Sequence, residues 1–508
     1  MPPSCLQNPA KGRSPLRTSY ASPNAVRLSI IRRAAILRPV ASETAISSIR
    51  LQSARGPARH RIFQDARLAV SLGLCIASAT SVHAQSASGS AAAGSIAPSI
   101  QSASPNVSPP SATQSGAAVA SDLVRNNPAA PLPNPNLAST AALPLRRGFW
   151  RAEPIDVYPW IGAGLGWTNN LLGQSVNPVT TSFLVVSPRL LAEARTGAHT
   201  HSLRYSGSYG KYFESGADDF AVHEVVASSS NKFSARTDLN ATAYYLIQQD
   251  PRGLTTRAIS AEPDRWNGYG ARVTFGYGAL SATGRIEVDL GLTDKKYLNN
   301  LSVTQDLSVN TYDIAGRFFY RTGPRTRLLT EMRVTQFEYQ TGRYSNNESR
   351  ILGGFTWDLS ASTIGTVKAG YAKKNFEQVA LADYGAFTAE TALRYLIRSY
   401  STVDIAAGRT PSDFYGTGYF NVDTYATAAW QHRWAGYFST RALASFLNQE
   451  VRGANRTDQT MTLAVGGYFD VRTWVRFGVE VQRTNRTSDD PAFAFSRNLM
   501  MFTIGATL

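Results

Sequence analysis

The feature that most constrains this chain is the strict alternation of apolar and polar residues in short segments. Residues 284–293 read GRIEVDLGLT, in which Ile286, Val288, Leu290 and Leu292 alternate with charged residues or glycine. Successive side chains of an extended strand point to opposite faces, so this segment predicts a strand with one apolar and one polar face. The apolar face must lie against either a protein core or lipid.

Segments of the same kind recur from Ile155 to the end of the sequence. We count about eighteen of them, most of roughly 10 to 15 residues. A strand needs about 9–11 residues to cross a bilayer, whereas strands of globular proteins average about 5–6. The predicted strands are therefore long enough to cross a membrane and longer than a soluble sandwich needs.

The connections between these segments alternate between short and long. Short ones are TGAHT at 196, ALSAT at 279, TGPRT at 322, SAST at 360 and DVRT at 470. Long ones are DPRGLTTRAISAEPDR at 250, DKKYLNNLSVTQDLS at 294, RTPSDFYGTG at 409 and RTNRTSDDPAFAFS at 483. This parity is typical of bacterial outer-membrane barrels. The predicted fold class is all-β, a transmembrane antiparallel up-and-down β-barrel of about 18 strands.

The first 145 residues differ in composition from the rest. They contain only two aromatic residues, Tyr20 and Phe63, whereas 51 of the 53 aromatic residues follow. The segment LAVSLGLCIASATSVHAQS follows a basic stretch and ends in small residues, which predicts an N-terminal leader at 1–84 with a signal peptide cleaved after Ala84. Residues 85–145, rich in Ser, Ala and Pro, predict a disordered linker before a barrel domain at 146–508.

The distribution of charge argues against a nucleic-acid partner. Of the formal charge of +16, the first 145 residues hold +10 and the other 363 residues only +6. Both cysteines, Cys5 and Cys75, belong to the predicted leader, so the remaining chain has no disulfide framework and no thiolate metal site. No cofactor is expected.

Aromatic residues lie near the ends of several predicted strands. In membrane barrels such residues form girdles at the two water interfaces. The predicted girdle residues are Trp150, Trp160, Trp167, Tyr244, Tyr245, Trp357, Trp430, Trp434 and Trp474.

The polar faces of the predicted strands carry charges of both signs and are predicted to line the pore. About eighteen strands can enclose an aqueous lumen, and a wall of mixed charge is not steeply ion-selective. These charges either pair across strands and keep the wall wet, or form a polar track for a hydroxyl-rich or anionic polymer. The predicted pore-lining residues are Arg204, Arg285, Glu287, Asp289, Asp313, Arg317, Arg321, Glu331, Arg333, Arg350, Asp358, Glu390, Arg394, Arg398, Asp404, Arg441, Arg476 and Glu480.

Pairs of arginines repeat on one face of a strand at 317 and 321 and at 394 and 398. Such steps could hold successive groups of a polymer by hydrogen bonds, or pair across strands with Asp313 and Glu390. The connections 250–265 and 294–308 are long and polar, the first with Pro251, Gly253 and Pro263 and the second with Asn299 and Asn300, so they are predicted to be a movable gate.

An enzymatic function finds little support in the sequence. No G-x-S-x-G motif is present, and the histidines beyond the leader are His199, His201, His223 and His432. The pair in HTHS lies at a predicted turn with no clustered carboxylates. The chain is therefore predicted not to be an enzyme, and the linker is too short and polar to fold as the plug of an energy-dependent transporter.

Four segments carry a resemblance to a known family: YPWIGAGLGWTNNLLGQ, AGRTPSDFYGTGYFNVDTYATAAWQHRW, RGANRTDQTMTLAVGGYFDVRTWVRFGVEVQRTNRTS and SRNLMMFTIGATL. With these, residues 154–508 resemble the beta-barrel porin family associated with exopolysaccharide operons, the EpsL-like outer-membrane proteins. The resemblance implies the outer membrane of a Gram-negative bacterium and supplies no active-site residues. The partners it implies are outer-membrane lipid, the barrel assembly machinery, polysaccharide polymerisation and export proteins, and the polysaccharide chain.

The sequence and this resemblance together predict an outer-membrane barrel that provides the passage for exopolysaccharide secretion. Two alternatives stay open. The first is a general diffusion porin for small solutes, and the second is a structural or adhesive surface barrel.

Overall fold

The computed structural model describes residues 150–152, 154–253, 259–279, 281–360, 362–412 and 418–507. The predicted leader, its cleavage after Ala84 and the linker at 85–145 lie outside these residues, as do the first four residues predicted for the barrel domain.

Nearly all of this part is β-strand. The strands are β1 (Trp150–Ala152), β2 (Ile155–Thr168), β3 (Thr181–Thr196), β4 (His199–Tyr212), β5 (Phe220–Lys232), β6 (Thr237–Asp250), β7 (Asp264–Tyr277), β8 (Gly284–Tyr297), β9 (Val309–Arg321), β10 (Thr326–Tyr339), β11 (Asn346–Ser360), β12 (Thr363–Phe376), β13 (Tyr384–Arg398), β14 (Ser401–Ser412), β15 (Phe420–Ala435), β16 (Phe438–Arg452), β17 (Arg456–Arg472), β18 (Val475–Ser488) and β19 (Phe495–Thr507).

Helical structure is confined to connections between strands. One short α-helix, α1 (Leu301–Thr304), and three 3₁₀ turns (Gly216–Asp218, Gln305–Leu307 and Pro491–Phe493) are present. Within the described ranges, the structure has no helix of the length and apolar character needed to span a membrane.

The sheet closes on itself. Each strand from β2 to β18 pairs antiparallel with the next one, and β19 pairs with β2 from Leu499↔Thr168 to Thr507↔Trp160. The three residues of β1 pair with Ile155 to Val157 of β2, the part of β2 that extends past its last paired residue on β19. The predicted 18-stranded up-and-down barrel is confirmed, and it gives the backbone N–H and C=O groups of the strands partners within the sheet, as lipid requires.

The connections alternate in length around the ring. At one edge, which we call the turn edge, they have two to six residues, as at 197–198, where Gly197 has a φ of +57°. At the opposite edge, the loop edge, they have three to thirteen residues, and the longest are 169–180, 251–263 and 298–308. Three of the predicted long loops are partly strand, because β8, β14 and β18 continue to Tyr297, Ser412 and Ser488.

Strand β8 shows how the two faces are used. Ile286 is 51% exposed on the outside of the barrel, and Val288 and Leu290 are exposed beside it. Arg285 is buried and Asp289 is 0% exposed on the inner face. The same division recurs on other strands, so the outer surface is a continuous apolar band. An apolar surface of this extent is unfavourable in water and favourable against hydrocarbon. The apolar face of the alternating pattern therefore faces lipid.

Not every predicted girdle residue lies on the outside. Trp167, Tyr245, Trp434 and Trp474 are exposed, as interfacial residues should be. Trp160 and Tyr244 are instead buried on the inner face, and their assignment to a girdle is wrong. The indole of Trp160 occupies space that a Cβ at Gly162 or Gly505 would fill.

Candidate functional site: the inner wall of the barrel

A network of paired charges covers the inner face of β6 to β13. We call it the charged wall. It contains seven basic and seven acidic side chains, none more than 22% exposed, that ion pairs link into one group. Its members are Asp238, Arg272, Arg285, Glu287, Asp289, Asp313, Arg317, Glu331, Arg333, Glu348, Arg350, Lys368, Lys374 and Glu390.

Arg317 lies at the centre of the charged wall. The antiparallel register places it opposite Glu287 on β8 and Glu331 on β10. Its Nη1 lies 3.3 Å from Glu287 Oε2, its Nε lies 3.1 Å from Glu331 Oε2, and its Nη2 donates to Asp289. Buried charges are tolerated only when they are paired and hydrogen-bonded, and this guanidinium meets three carboxylates.

Two glycines leave room for arginine side chains to lie along this wall. A Cβ at Gly291 would come within 2.2 Å of Asp313 Oδ1 and 2.7 Å of Arg272 Nη2. Those two groups form an ion pair of 2.6 Å across the glycine. A Cβ at Gly276 would similarly meet Arg285 Nη2 at 2.1 Å. Glycine at these two positions therefore leaves the space in which the arginine side chains reach their carboxylate partners.

The network continues through β11, β12 and β13. Lys368 Nζ lies 3.2 Å from Glu331 Oε2 and 2.8 Å from Glu390 Oε2, so it joins two carboxylates on different strands. Arg350 bridges Glu390 and Glu348 in the same way. With equal numbers of each charge, this wall exerts little net field on a passing solute.

Other residues predicted to line the pore also lie on the inner face, outside the charged wall, and several of them form separate ion pairs. Arg204 Nη2 lies 2.7 Å from Glu224 Oε1, and Arg394 Nε lies 2.7 Å from Asp404 Oδ1. Further members are Arg441 on β16, Arg476, which pairs with Asp470, and Glu480, which accepts a hydrogen bond from Tyr468.

Three predicted residues differ from the rest. Arg321 donates to the carbonyl oxygens of Ser281 and Gly323 at the turn edge, and Arg398 is exposed at the same edge beyond a bulge in β13. Asp358 belongs to β11, but its side chain is not among those described. In each predicted arginine step, 317/321 and 394/398, the first arginine therefore forms ion pairs on the inner face and the second lies at the turn edge.

Sequence reasoning missed five members of the charged wall. Arg272 and Lys368 alternate with apolar residues, so the signal is present there, whereas both neighbours of Glu348 and of Lys374 are polar and the alternation gives no signal. The partners expected for the arginine steps were also wrong, because Arg317 pairs with Glu287, Asp289 and Glu331 rather than Asp313. The missed residues are Asp238, Arg272, Glu348, Lys368 and Lys374.

The remaining inner face, on β14 to β19 and β2 to β4, carries many small and hydroxyl side chains. Hydroxyl groups meet in pairs across neighbouring strands at distances of 3.0 to 3.4 Å. These pairs are Ser187–Ser208, Thr427–Ser445 and Thr462–Thr484. One side of the interior is therefore dominated by paired charges and the other is rich in hydroxyl groups.

Connections at the loop edge fold inward over this interior. Leu171, in the β2–β3 connection, packs in one apolar cluster with Phe183, Tyr212 and Leu499 of the inner face. A second cluster, on β5 to β11, contains Trp266, Tyr297 and Phe337, and Leu381 and Tyr419 from two other connections pack against it. We call these inward-folded connections the cap.

The β6–β7 connection joins the cap as well. Arg252 pairs with Asp218 of the β4–β5 connection, and its Nη1 lies 3.1 Å from the carbonyl oxygen of Ala261. A Cβ at Gly253 would come within 1.5 Å of Leu172 O, so the backbones of the β6–β7 and β2–β3 connections touch there. The cap is therefore held together by contacts between connections as well as by contacts with the wall.

A second group of buried charges lies on the inner face of β17 to β19 near the loop edge. We call it the arginine group, and it consists of Arg456, Arg486, Arg497 and Asp458. Asp458 Oδ1 lies 3.1 Å from Arg456 Nε, and Asp458 Oδ2 accepts from Arg486. Arg497 is 2% exposed, and its Nε and Nη2 atoms are buried without a hydrogen-bond partner.

The family model described as "Putative beta-barrel porin 2" matches residues 156–507. The chain belongs to this family. The match extends from the second residue of β2 to the last residue of β19, so it covers the entire ring of strands. A member of this porin family with a closed strand barrel lies in the outer membrane of a Gram-negative bacterium, where the apolar band meets outer-membrane lipid.

Solved structures of other outer-membrane proteins are similar to this porin-family barrel at low sequence identity. Pseudomonas aeruginosa OccK2 (OpdF) is 12% identical with a TM-score of 0.39, and the match covers 70% of this chain and 98% of that one. Acinetobacter baumannii OccAB3 is 9% identical with a TM-score of 0.39, covering 70% and 99%. Among proteins with curated descriptions, none matches this chain.

The four histidines that the structure describes in this porin-family chain, His199, His201, His223 and His432, are not members of the charged wall. His199 and His201 begin β4 on its outer face, where His201 Nδ1 lies 2.7 Å from Ser229 Oγ. Within the described residues, no three or more His, Cys, Asp and Glu side chains are grouped so that they could hold a metal ion.

Proposed function

We propose that this barrel provides the passage through which an exopolysaccharide crosses the outer membrane. The observation that carries the proposal is the charged wall, in which seven basic and seven acidic side chains neutralise one another. Polysaccharides are rich in hydroxyl groups, which bind through hydrogen bonds rather than through a strong field. A wall whose charges are already paired offers such a chain polar contacts of modest strength.

Modest contacts matter because a polymer must leave each contact as it moves. An uncompensated arginine would hold an anionic or hydroxyl group tightly, since hydrogen bonds to charged groups are roughly twice as strong as neutral ones. In the charged wall Arg317 already meets three carboxylates, and in the opposite wall Thr462 and Thr484 meet each other. The paired groups on both sides of the interior therefore favour sliding over tight binding.

The cap favours a regulated passage over a general diffusion porin, which stands open to small solutes. The connection 251–263, part of the predicted gate, contacts the β2–β3 connection through Gly253. The connection 298–308, the other predicted gate segment, places Leu307 in the second apolar cluster. Residues 254–258 of the first gate segment lie outside the described residues. We infer that these segments move when the polymer passes.

Secretion through such a barrel requires partners of defined chemistry. We infer that polysaccharide polymerisation and export proteins deliver the polysaccharide to the turn edge of the barrel. We also infer that the barrel assembly machinery inserts the barrel into the outer membrane. Catalysis forms no part of this proposal.

The test is deletion of the gene followed by two measurements. Secreted polysaccharide should fall to background, while uptake of small sugars should be unchanged. Restoring the full-length protein should restore secretion. Loss of small-solute uptake with normal secretion would instead assign the chain to general diffusion.

A second test uses the purified barrel in a planar bilayer. We expect weakly selective ion conduction, a rise in conductance when residues 251–263 are replaced by a short turn, and transient block by polymer fragments. A barrel that never conducts, with or without this connection, or that ignores polymer, would favour the structural or adhesive alternative.

A further inference from the structure

Arg497 is a buried cation without a counter-charge among the residues that the structure describes. It lies on the inner face of β19, opposite Thr484 of β18. Neither Nε nor Nη2 has a hydrogen-bond partner, and no ion pair to a described residue is formed. The guanidinium interacts electrostatically with Tyr212, whose phenol is neutral at pH 7. A buried charge of this kind is costly unless something of opposite charge can reach it.

The two atoms without partners define what could bind. Nε and Nη2 form one edge of the planar guanidinium, and two parallel N–H groups on one edge match the two oxygens of a carboxylate. The charges nearby also favour an anionic ligand, because Arg456 and Arg486 share the single carboxylate of Asp458. The arginine group thus has three positive charges and one negative charge, whereas the charged wall is balanced.

The β2–β3 connection docks beside Arg497. The residues on either side of Arg497 hold the start of this connection. Asn170 Nδ2 donates to Ser496 O at 3.1 Å, and the backbone N–H of Asn498 donates to Asn169 Oδ1 at 2.7 Å. Leu171 then packs against Leu499 in the first apolar cluster. Further contacts are the hydrogen bonds from Asn169 N–H to Asn498 O and from Ser175 Oγ to Pro491 O, both 3.3 Å, and the approach of Leu172 to Gly253. These contacts and the apolar cluster hold this lid.

We propose that Arg497 is the binding residue of an anion site beneath the β2–β3 connection, and that its ligand is the carboxylate of an acidic sugar residue in the transported polymer. The identity of the ligand rests on the proposed function. The cost of burying the unpaired cation opposes the closed lid, and a carboxylate that pairs with Arg497 when the connection has lifted stabilises the open state. The site therefore couples recognition of an acidic polymer to opening of the cap at this connection.

The test measures block of the ion current through the full-length barrel in a bilayer. The probes are a short oligogalacturonate and a neutral maltooligosaccharide of equal length. The acidic probe should block the wild-type barrel at lower concentration than the neutral one. Arg497→Gln should weaken the acidic block by about tenfold or more, since a hydrogen-bonded charge pair is lost, and should leave the neutral block unchanged.

Two further variants make the result specific. Arg497→Lys keeps the charge but loses the paired N–H edge, so its acidic block should be intermediate. Arg483→Gln is the matched control, because Arg483 lies on the neighbouring strand opposite Asn498 but is exposed on the outer face. Its block should equal that of the wild type. Heat-modifiable migration on a gel confirms that each variant has folded.

The outcomes separate this inference from the proposed function. Equal block of the wild type and Arg497→Gln by oligogalacturonate would overturn the site, while a persisting neutral block would leave the passage proposal standing. Absence of block by either oligosaccharide would count against the passage itself. Relief of the acidic block by inorganic phosphate at lower concentration than by galacturonate would show a phosphate site and overturn the assignment to an acidic sugar.

Discussion

The charged wall and the arginine group are both built from arginines buried on the inner face of the barrel, and they differ in their counter-charges. In the charged wall every basic side chain meets at least one carboxylate, and Arg317 meets three. In the arginine group one carboxylate serves two arginines, and Arg497 pairs with no carboxylate of the described ranges. Burial alone therefore does not indicate what a charge is for. A paired charge supports the wall, whereas a charge without a partner is suited to a ligand.

The sharpest way to test this comparison is to remove a carboxylate from the charged wall. Asp289 is fully buried and contacts Arg272, Arg317 and Arg333. Asp289→Ala leaves these cations without their shared partner and should lower the free energy of unfolding by on the order of 3–5 kcal/mol. Urea unfolding of the barrel in detergent micelles measures this. An unchanged midpoint would mean that water, rather than pairing, compensates the arginines.

A second change tests whether the ion pairs depend on the space that glycine leaves. Gly291→Ala puts a methyl group between Arg272 and Asp313 and should cost about 1–3 kcal/mol. Gly316→Ala on β9 is the matched control, because a Cβ there has no neighbour within 4 Å and should be tolerated. Similar unfolding midpoints for the two variants would show that the wall can rearrange.

A third change should have the opposite sign. Arg497→Met keeps an unbranched side chain of similar length and removes the unpaired cation, so it should raise the free energy of unfolding by about 1 kcal/mol. The same urea experiment measures it. A loss of stability comparable to that of Asp289→Ala would place Arg497 among the structural arginines and erase the contrast between the two regions.

The smallest effect is expected at an isolated, partly exposed pair. Arg394 and Asp404 have side chains that are 17% and 22% exposed and belong to no larger network. Asp404→Ala should cost about 0–1 kcal/mol, and the cost should shrink as salt is added. A cost as large as that of Asp289→Ala would mean that the network itself contributes nothing beyond single pairs.

The period of two was sufficient to assign faces. Arg285, Glu287 and Asp289 were placed on the polar face of one strand because their neighbours are apolar, and all three lie inside. The same signal ends where the outer face leaves the lipid. At Asp294 and Lys296 the outward side chains of β8 are polar as well, so the alternation of apolar and polar residues ends there. The sequence therefore predicts a loop where the structure has strand.

The ion-pair partners of the inner-face charges could not be predicted in the same way. The partners of Arg317 lie 14 to 30 residues away, on two other strands, and their register depends on the lengths of the intervening connections. Arg497 shows the further limit. Its lack of a partner depends on how the β2–β3 connection folds onto β19, which involves residues more than 300 positions apart.

The two asparagine contacts at the seam also bear on how the molecule assembles. Asn169 and Asn170 bind residues 326 to 329 positions later, on the strand that completes the ring. Contacts of such long range form late, after the shorter hairpins have zipped together. Until β19 meets β2, both strands present open edges that could pair with another chain. The β2–β3 connection therefore docks onto β19 only when the ring of strands has closed, and a probe at Asn170 would report the last step of insertion.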